Sequence, residues 1–279
     1  MIHYCMDVPV VTQGKAEYTA TLEAFVPTNG LDLPINKQKP AVVIFPGGGY
    51  SITYDGEAEP IAMPFVAAGM AAFIVRYSCT PAVFPQALCE GLWAVGYVRD
   101  HAKEYGIDPE NIATLGFSAG GHLCACTGTL WNQDFLKDYL PGELSHYRPD
   151  KMVLCYPVIL NHGAHHQGSF DNLLGEKKND PVLLELTSLE KQVGAHTPPA
   201  FLWATSEDDA VPVENSLYFA AKMAEAGKHI EMHIYPHGAH GLCTADYVTR
   251  SECAFMEKLT PRAWLDEAIR FCFDKELGA

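Results

Sequence analysis

Basic residues are scarce in this chain: 19 Lys and Arg stand against 34 Asp and Glu, a formal net charge of −15 over 279 residues. So acidic a surface repels phosphate backbones and anionic headgroups, which excludes nucleic acid and membrane surfaces as partners and disfavours polyanionic substrates. Long hydrophobic runs are missing as well. No stretch approaches the roughly 18 apolar residues of a membrane-crossing helix. Residues Met1-Ile2-His3-Tyr4-Cys5-Met6-Asp7 carry neither the basic cluster nor the apolar run of a secretory leader, so none is expected and a cytoplasmic location is. The nine cysteines are odd in number and contain no Cys-x-x-Cys pair. Cys79, Cys89, Cys124, Cys126, Cys155 and Cys272 sit in apolar segments, which reads as small buried hydrophobes in a reducing compartment rather than disulfides or zinc ligands. No repeat and no low-complexity tract is visible.

Apolar material is plentiful, with 48% hydrophobic and 19% charged residues. That composition supports a sizeable core and rules out a disordered or fibrous chain. Residues 27–40, rich in Pro, Asn and Lys, read as a loop. Strands are then expected at 41–45 (AVVIF) and 70–75, continuous apolar runs that suit burial on both faces, and at 112–115, 152–156, 200–204 and 230–235. Helices are expected at 57–68 and 85–105, closed by Gly69 and Gly106, after Ser118, at 213–226 and at 261–275. Strands alternating with helices give an α/β fold, a mostly parallel sheet covered by helices on both faces, with its chemistry at the C-terminal strand ends. Residues 161–197 break this rhythm. They are expected to form a short cap-like excursion with a helix or two, shaping a pocket.

Gly116-Phe117-Ser118-Ala119-Gly120 is a G-x-S-x-G sequence between an expected strand and helix. Its glycines permit a strained turn that stands the Ser118 hydroxyl clear at a helix N-terminus. A serine nucleophile needs a histidine to take its proton and a carboxylate to fix that histidine's tautomer. Glu207, Asp208 and Asp209 follow the strand at 200–204 and offer one inward carboxylate. After the last strand, Tyr235-Pro236-His237-Gly238-Ala239-His240-Gly241 supplies two histidines. His240, flanked by small residues, is the preferred base over His237. His122, one helical turn past Ser118, is read as a structural residue, because a base on the nucleophile's own helix would sit beneath the hydroxyl. The tetrahedral intermediate also needs backbone N–H donors. Ala119, next to the nucleophile, offers one, and the loop Pro46-Gly47-Gly48-Gly49-Tyr50 offers the second. A phosphate cradle is excluded there, since neither G-x-G-x-x-G nor a following Lys-Ser/Thr is present.

From PGGGY through GFSAGGH and DDAVPVENS to HGAHGL, nearly the whole chain resembles the α/β-hydrolase superfamily. The likeness is to small bacterial esterases of the acetyl-xylan-esterase-like and hormone-sensitive-lipase-like branches. The resemblance implies Ser118 as nucleophile, His240 as base and Asp208 as acid, the carboxylate three residues before Val211-Pro212. It implies Gly47 and Gly48 as oxyanion donors beside Ala119, and no cofactor. Pro46 stands where the lipase-like branch has His, which points to the acetyl-xylan-esterase-like branch. Ala204 replaces a frequent His before the acid loop.

The expected function is therefore a serine carboxylesterase acting on short acyl esters, acetyl above all, of sugars or oligosaccharides, within a single domain spanning residues 1–279. Tyr50, Phe117 and Tyr156 are candidate pocket residues. The same groups could cleave amides, as an arylformamidase or small peptidase. A non-catalytic binding protein on this fold would be expected to have lost its serine or histidine. A metal-dependent hydrolase would have to use His162, His165 and His166, which in a polar loop read more readily as solvated side chains.

Overall fold

All five side chains of Ala41-Val42-Val43-Ile44-Phe45 are fully buried in the computed structural model of the protein, as a strand covered on both faces requires. The structure describes residues 1–10, 20–28, 38–249 and 260–278. In chain order these form β1 (Ile2–Asp7), β2 (Thr21–Val26), β3 (Lys39–Phe45), α1 (Glu59–Ala67), β4 (Ala71–Arg76), α2 (Gln86–Asp100), α3 (Ala102–Tyr105), β5 (Ile107–Phe117) and α4 (Ser118–Thr129). They continue as β6 (Lys151–Cys155), α5 (Gln167–Leu174), α6 (Pro181–Leu186), β7 (Ala200–Thr205), α7 (Glu214–Glu225), β8 (Ile230–Tyr235) and α8 (Trp264–Phe273). The sheet order is β1-β2-β4-β3-β5-β6-β7-β8. From β4 to β8 the pairings are parallel, while β2 joins β1 and β4 antiparallel. Among the described residues no helix is long and apolar enough to cross a membrane.

The pleat sorts the core into two layers. Ala41, Val43 and Phe45 face Leu88 and Leu92 of α2, Leu123 of α4 and Phe219 of α7. Val42 and Ile44 face Ile61 and Phe65 of α1 and Trp264 and Phe271 of α8. Helices therefore cover both faces of a mostly parallel sheet, the expected α/β-hydrolase architecture.

Several boundaries differ from the sequence reading for local reasons. The helix expected over residues 85–105 breaks at His101, whose ring Nδ1 binds the Tyr97 carbonyl at 2.8 Å and competes with the helical ladder. Gly106 then ends α3 in the left-handed region at φ 63. β5 is longer than expected because Ile107 pairs with Lys39 before a bulge. β1 and β2 were not anticipated as a pair. β1 is an edge strand with half-exposed residues and lacks the apolar signature of the buried strands. Of the loop expected over residues 27–40, residues 29–37 lie outside the described residues.

Residues 161–197 hold α5 and α6 and are tied down by side-chain hydrogen bonds within and just before the segment. Asn215 Oδ1 accepts from the N–H groups of Ile159 and Leu160 at 3.0 and 2.9 Å, and its Nδ2 donates to the Ala164 carbonyl. Asn172 Nδ2 donates to the Gly49 carbonyl at 2.8 Å, fixing α5 against the glycine loop.

Candidate active site

β5 ends at Phe117 and α4 begins at Ser118 with no intervening loop. The chain turns by placing Ser118 at φ 53, a conformation that costs a non-glycine residue energy. Two glycines make the turn possible. A Cβ on Gly116 would collide with the Gly120 carbonyl, and one on Gly120 would collide with the Phe45 carbonyl oxygen. Ser118 is 8% exposed. Ala119 lies in the first turn of α4, where backbone N–H groups have no intrahelical acceptor.

The loops after β7 and β8 bring their side chains to the same point. Ser118 Oγ is 2.8 Å from His240 Nε2, and His240 Nδ1 is 2.7 Å from Asp208 Oδ2. Asp208 Oδ1 accepts from the N–H groups of Ala210 and Val211 at 3.0 and 2.8 Å. This leaves Oδ2 as the acceptor for a proton on Nδ1, so Nε2 carries the lone pair that faces the serine hydroxyl. The other two acids point elsewhere. Asp209 is exposed, and Glu207 accepts from His237 Nδ1 at 2.8 Å and from the Gly238 N–H at 3.2 Å. The His237 bond, then the Gly238 bond, hold the Glu207 carboxyl below its usual range. This exposed pair braces the loop that presents His240.

His122 is turned away from Ser118. Its Nε2 donates to the Thr187 carbonyl at 3.0 Å, so Nδ1 accepts from the Tyr50 hydroxyl at 2.8 Å. It is a fully buried tie between α4 and residues 161–197. Burial pushes its pKa down to about 4. The unfolded chain takes up this proton near the ordinary imidazole value, so stability linked to His122 is complete above that value and falls as the pH drops toward 4. His122→Gln removes the titration and can keep one donor and one acceptor. Urea unfolding should show the wild type losing about 2 kcal/mol relative to this variant between pH 7 and pH 5. The carboxyls of Glu57 and Glu90, raised by burial, act in the opposite sense and cancel in the comparison.

The glycine loop requires a correction to the expected oxyanion donors. The Gly47 N–H donates to Glu57 Oε2 at 2.7 Å, so it is already taken. Gly48 lines the groove beside Ser118 and has no such acceptor among the described residues. The candidate donor pair is accordingly Gly48 and Ala119. Glu57 was missed from sequence because an acid just before a helix is ordinarily read as favoured there by the helix dipole. Its other oxygen accepts from the Tyr156 hydroxyl at 2.7 Å, and that hydroxyl accepts from the Cys243 N–H at 3.0 Å. One buried carboxylate thus links the glycine loop to the segment that follows His240. Burial raises its pKa, against the lowering effect of these bonds.

The groove over Ser118 has a volume of about 450 Å³ and is lined by Gly48, Ile52, Tyr54, His166, Asn172 and His240, among others. Tyr50, Phe117 and Tyr156, the expected pocket residues, do not line it and are 2%, 0% and 3% exposed. Tyr50 binds His122, Phe117 packs on Tyr156 and Trp264, and Tyr156 supports the His240 ring edge-on at 5.1 Å between centroids. The three loop histidines have separate partners. His162 pairs with Glu190, His165 with Gln167 and Gly163, and His166 with Ser169. Among the described residues no three His, Cys, Asp or Glu side chains converge as a metal site.

Comparison with known proteins agrees with this architecture. The sequence profile of the BD-FAE family matches residues 31–223, more than half of the chain. Endo-1,4-beta-xylanase B of Butyrivibrio fibrisolvens is 37% identical over 215 residues, covering 75% of this chain and 33% of that protein. The acetylxylan esterase of Xylanibacter ruminicola is 34% identical over 214 residues, covering 75% of this chain and 42% of that protein. The chain thus spans less than half the length of either relative. The crystal structure of an acetyl ester-xyloside bifunctional hydrolase from Caldicellulosiruptor lactoaceticus superposes with a TM-score of 0.81 at 36% identity, covering 95% of this chain and 90% of the other. The carboxylesterase Cest-2923 of Lactobacillus plantarum gives 0.80 at 25% identity, covering 100% and 99%. The chain belongs to the BD-FAE family and is an acetyl-xylan-esterase-like α/β hydrolase.

Proposed function

We propose that the protein is a serine carboxylesterase that hydrolyses short-chain acyl esters, chiefly acetyl esters of sugars or oligosaccharides. The observation that carries the reading is the hydrogen-bonded series from Ser118 Oγ through His240 to Asp208, at 2.8 and 2.7 Å. His240 Nε2 takes the Ser118 proton as Oγ attacks the ester carbonyl, and the resulting oxyanion is met by the N–H groups of Gly48 and Ala119. His240 then returns the proton to the departing alcohol, leaving an acyl-serine. Water, deprotonated by His240, releases the acid and restores Ser118.

Two features support a small acyl group on a polar alcohol. The segment bordering the groove contributes His166, Gly168 and Asn172, polar or small residues rather than a long apolar lid. The named relatives include an acetylxylan esterase and an acetyl ester-xyloside hydrolase. We read the chain as one α/β-hydrolase domain with residues 161–197 as a cap-like insertion. Among the described residues Cys89, Cys124, Cys126, Cys155 and Cys272 are buried thiols outside any disulfide, which supports a reducing cytoplasmic setting.

A fluorophosphonate probe should label the wild type and not Ser118→Ala. An unlabelled wild type would overturn the serine mechanism. Across p-nitrophenyl esters from acetate to decanoate, kcat/KM should peak at the shortest chains, and a maximum at eight carbons or longer would overturn the acyl preference.

A further inference from the structure

His166 reaches the groove with one face of its ring already committed. It is the N-cap of α5, and its Nδ1 lies 3.3 Å from the Ser169 N–H and 2.8 Å from the Ser169 hydroxyl. The Ser169 N–H, shared between Nδ1 and the His166 carbonyl at 3.1 Å, can only donate, and this contact assigns the lone pair to Nδ1 and the ring proton to Nε2. Ser169 is 1% exposed, which fixes the ring orientation. Burial, with the neighbouring His240 next in effect, keeps the His166 pKa below the ordinary imidazole value, so the ring stays neutral. The Nε2–H has no partner among the described residues, and the ring lines the same groove as Ser118 and His240. The amide of Asn172, by contrast, already serves the Gly49 carbonyl.

We infer that His166 is a specificity-determining residue whose Nε2–H donates to an oxygen of the ester's alcohol portion, selecting polyhydroxylated alcohols such as a xylose unit. The inference rests on the ester-hydrolase reading above and adds the recognition of the leaving group. A hydroxylated alcohol replaces the water that the donor gives up, whereas an apolar alcohol of similar size strips that water and leaves the donor unpaired. Discrimination then arises without any contact to the reacting carbonyl.

Two substitutions separate recognition from capping. His166→Asn keeps a good N-cap acceptor for Ser169 but ends short of the Nε2 position. His166→Gln carries an amide N–H to about the Nε2 position and is the poorer cap. The quantity to measure is kcat/KM on a mono-acetylated xylo-oligosaccharide divided by kcat/KM on phenyl acetate. This ratio should fall about three- to ten-fold in the Asn variant, mainly through KM. The Gln variant should hold the wild-type ratio while its Tm drops. An unchanged ratio in the Asn variant, or an equal fall in both, would overturn the inference. A wild type that cleaves phenyl acetate but not the acetylated sugar would also overturn it and leave the esterase reading standing. A wild type that cleaves neither would remove the esterase reading itself.

Discussion

Asp208→Asn should lower kcat on p-nitrophenyl acetate by about 10⁴-fold with little change in KM. The reason lies in how the two carboxylate oxygens are used. Oδ1 holds two backbone N–H groups, of Ala210 and Val211, while Oδ2 faces the Nδ1 proton of His240. An asparagine in this place keeps its oxygen toward the two fixed donors, since turning its NH₂ toward them would oppose donors twice. The NH₂ then faces Nδ1 and forces it to accept, which moves the ring proton to Nε2. The nitrogen facing Ser118 no longer has a lone pair, and the serine proton has nowhere to go. The loop itself should stay folded, because both backbone bonds survive. Glu207→Gln and Asp209→Asn act on exposed side chains and should each leave kcat within about three-fold of the wild type. If Asp209→Asn were the variant that lost activity and Asp208→Asn kept it, the assignment of the acid would be wrong.

These three neighbouring acids also mark how far the sequence can be read. The buried strands were legible because side chains covered on both faces must be apolar, as in residues 41–45. The turn at Ser118 was legible because both flanking glycines are demanded by backbone carbonyls that any Cβ would strike. The separation of Asp208 from Glu207 and Asp209 needed the fold. Loop geometry alone turns one carboxylate inward and leaves one on the surface with His237. Phe117 adjoins Ser118 along the chain, yet its ring, like that of Tyr156 after β6, points into the layer beneath α1 and α8. Chain proximity to Ser118 therefore misled where the pleat decided. Gly47 shows the same limit from another side: nothing in a run of three glycines reveals that a carboxylate ten residues later has claimed one of their N–H groups. His101, which breaks a helix whose apolar spacing continues past it, is a local competition that periodicity does not register.

Glu57→Gln should lower kcat by about 10- to 100-fold, the scale expected when supporting loops shift by a fraction of an ångström to an ångström. It should also reduce the unfolding free energy by about 1–3 kcal/mol, the cost of a buried polar group left without its partner. The carboxylate accepts short hydrogen bonds from the Gly47 N–H and the Tyr156 hydroxyl, and a longer one of 3.9 Å from the Cys243 thiol. A glutamine can accept only one of the short bonds at its oxygen. The Gly47 N–H cannot rotate away, so the amide oxygen stays with it and the NH₂ faces Tyr156. The Tyr156 proton then loses its acceptor, and the bond from the Cys243 N–H to that hydroxyl is disturbed with it. The strain falls on the segment just after His240 and on the ring that supports His240 edge-on. Acidification should reproduce the fall in kcat, though not the loss of stability, in the wild type. Burial raises the Glu57 pKa, so the protonated form arises at higher pH than for an ordinary carboxyl, and kcat should fall as pH drops through that raised value. Stability linked to this group moves the other way. With the folded pKa above the unfolded one, its contribution is fully present below the unfolded value and is lost as pH rises through the folded value. Over that window the wild type should therefore gain stability as it loses activity, and Glu57→Gln should show neither trend from this group. Parallel kcat and Tm profiles against pH for the two proteins test this. A glutamine variant with wild-type kcat and only a lowered Tm would reduce Glu57 to a structural brace with no part in positioning the site.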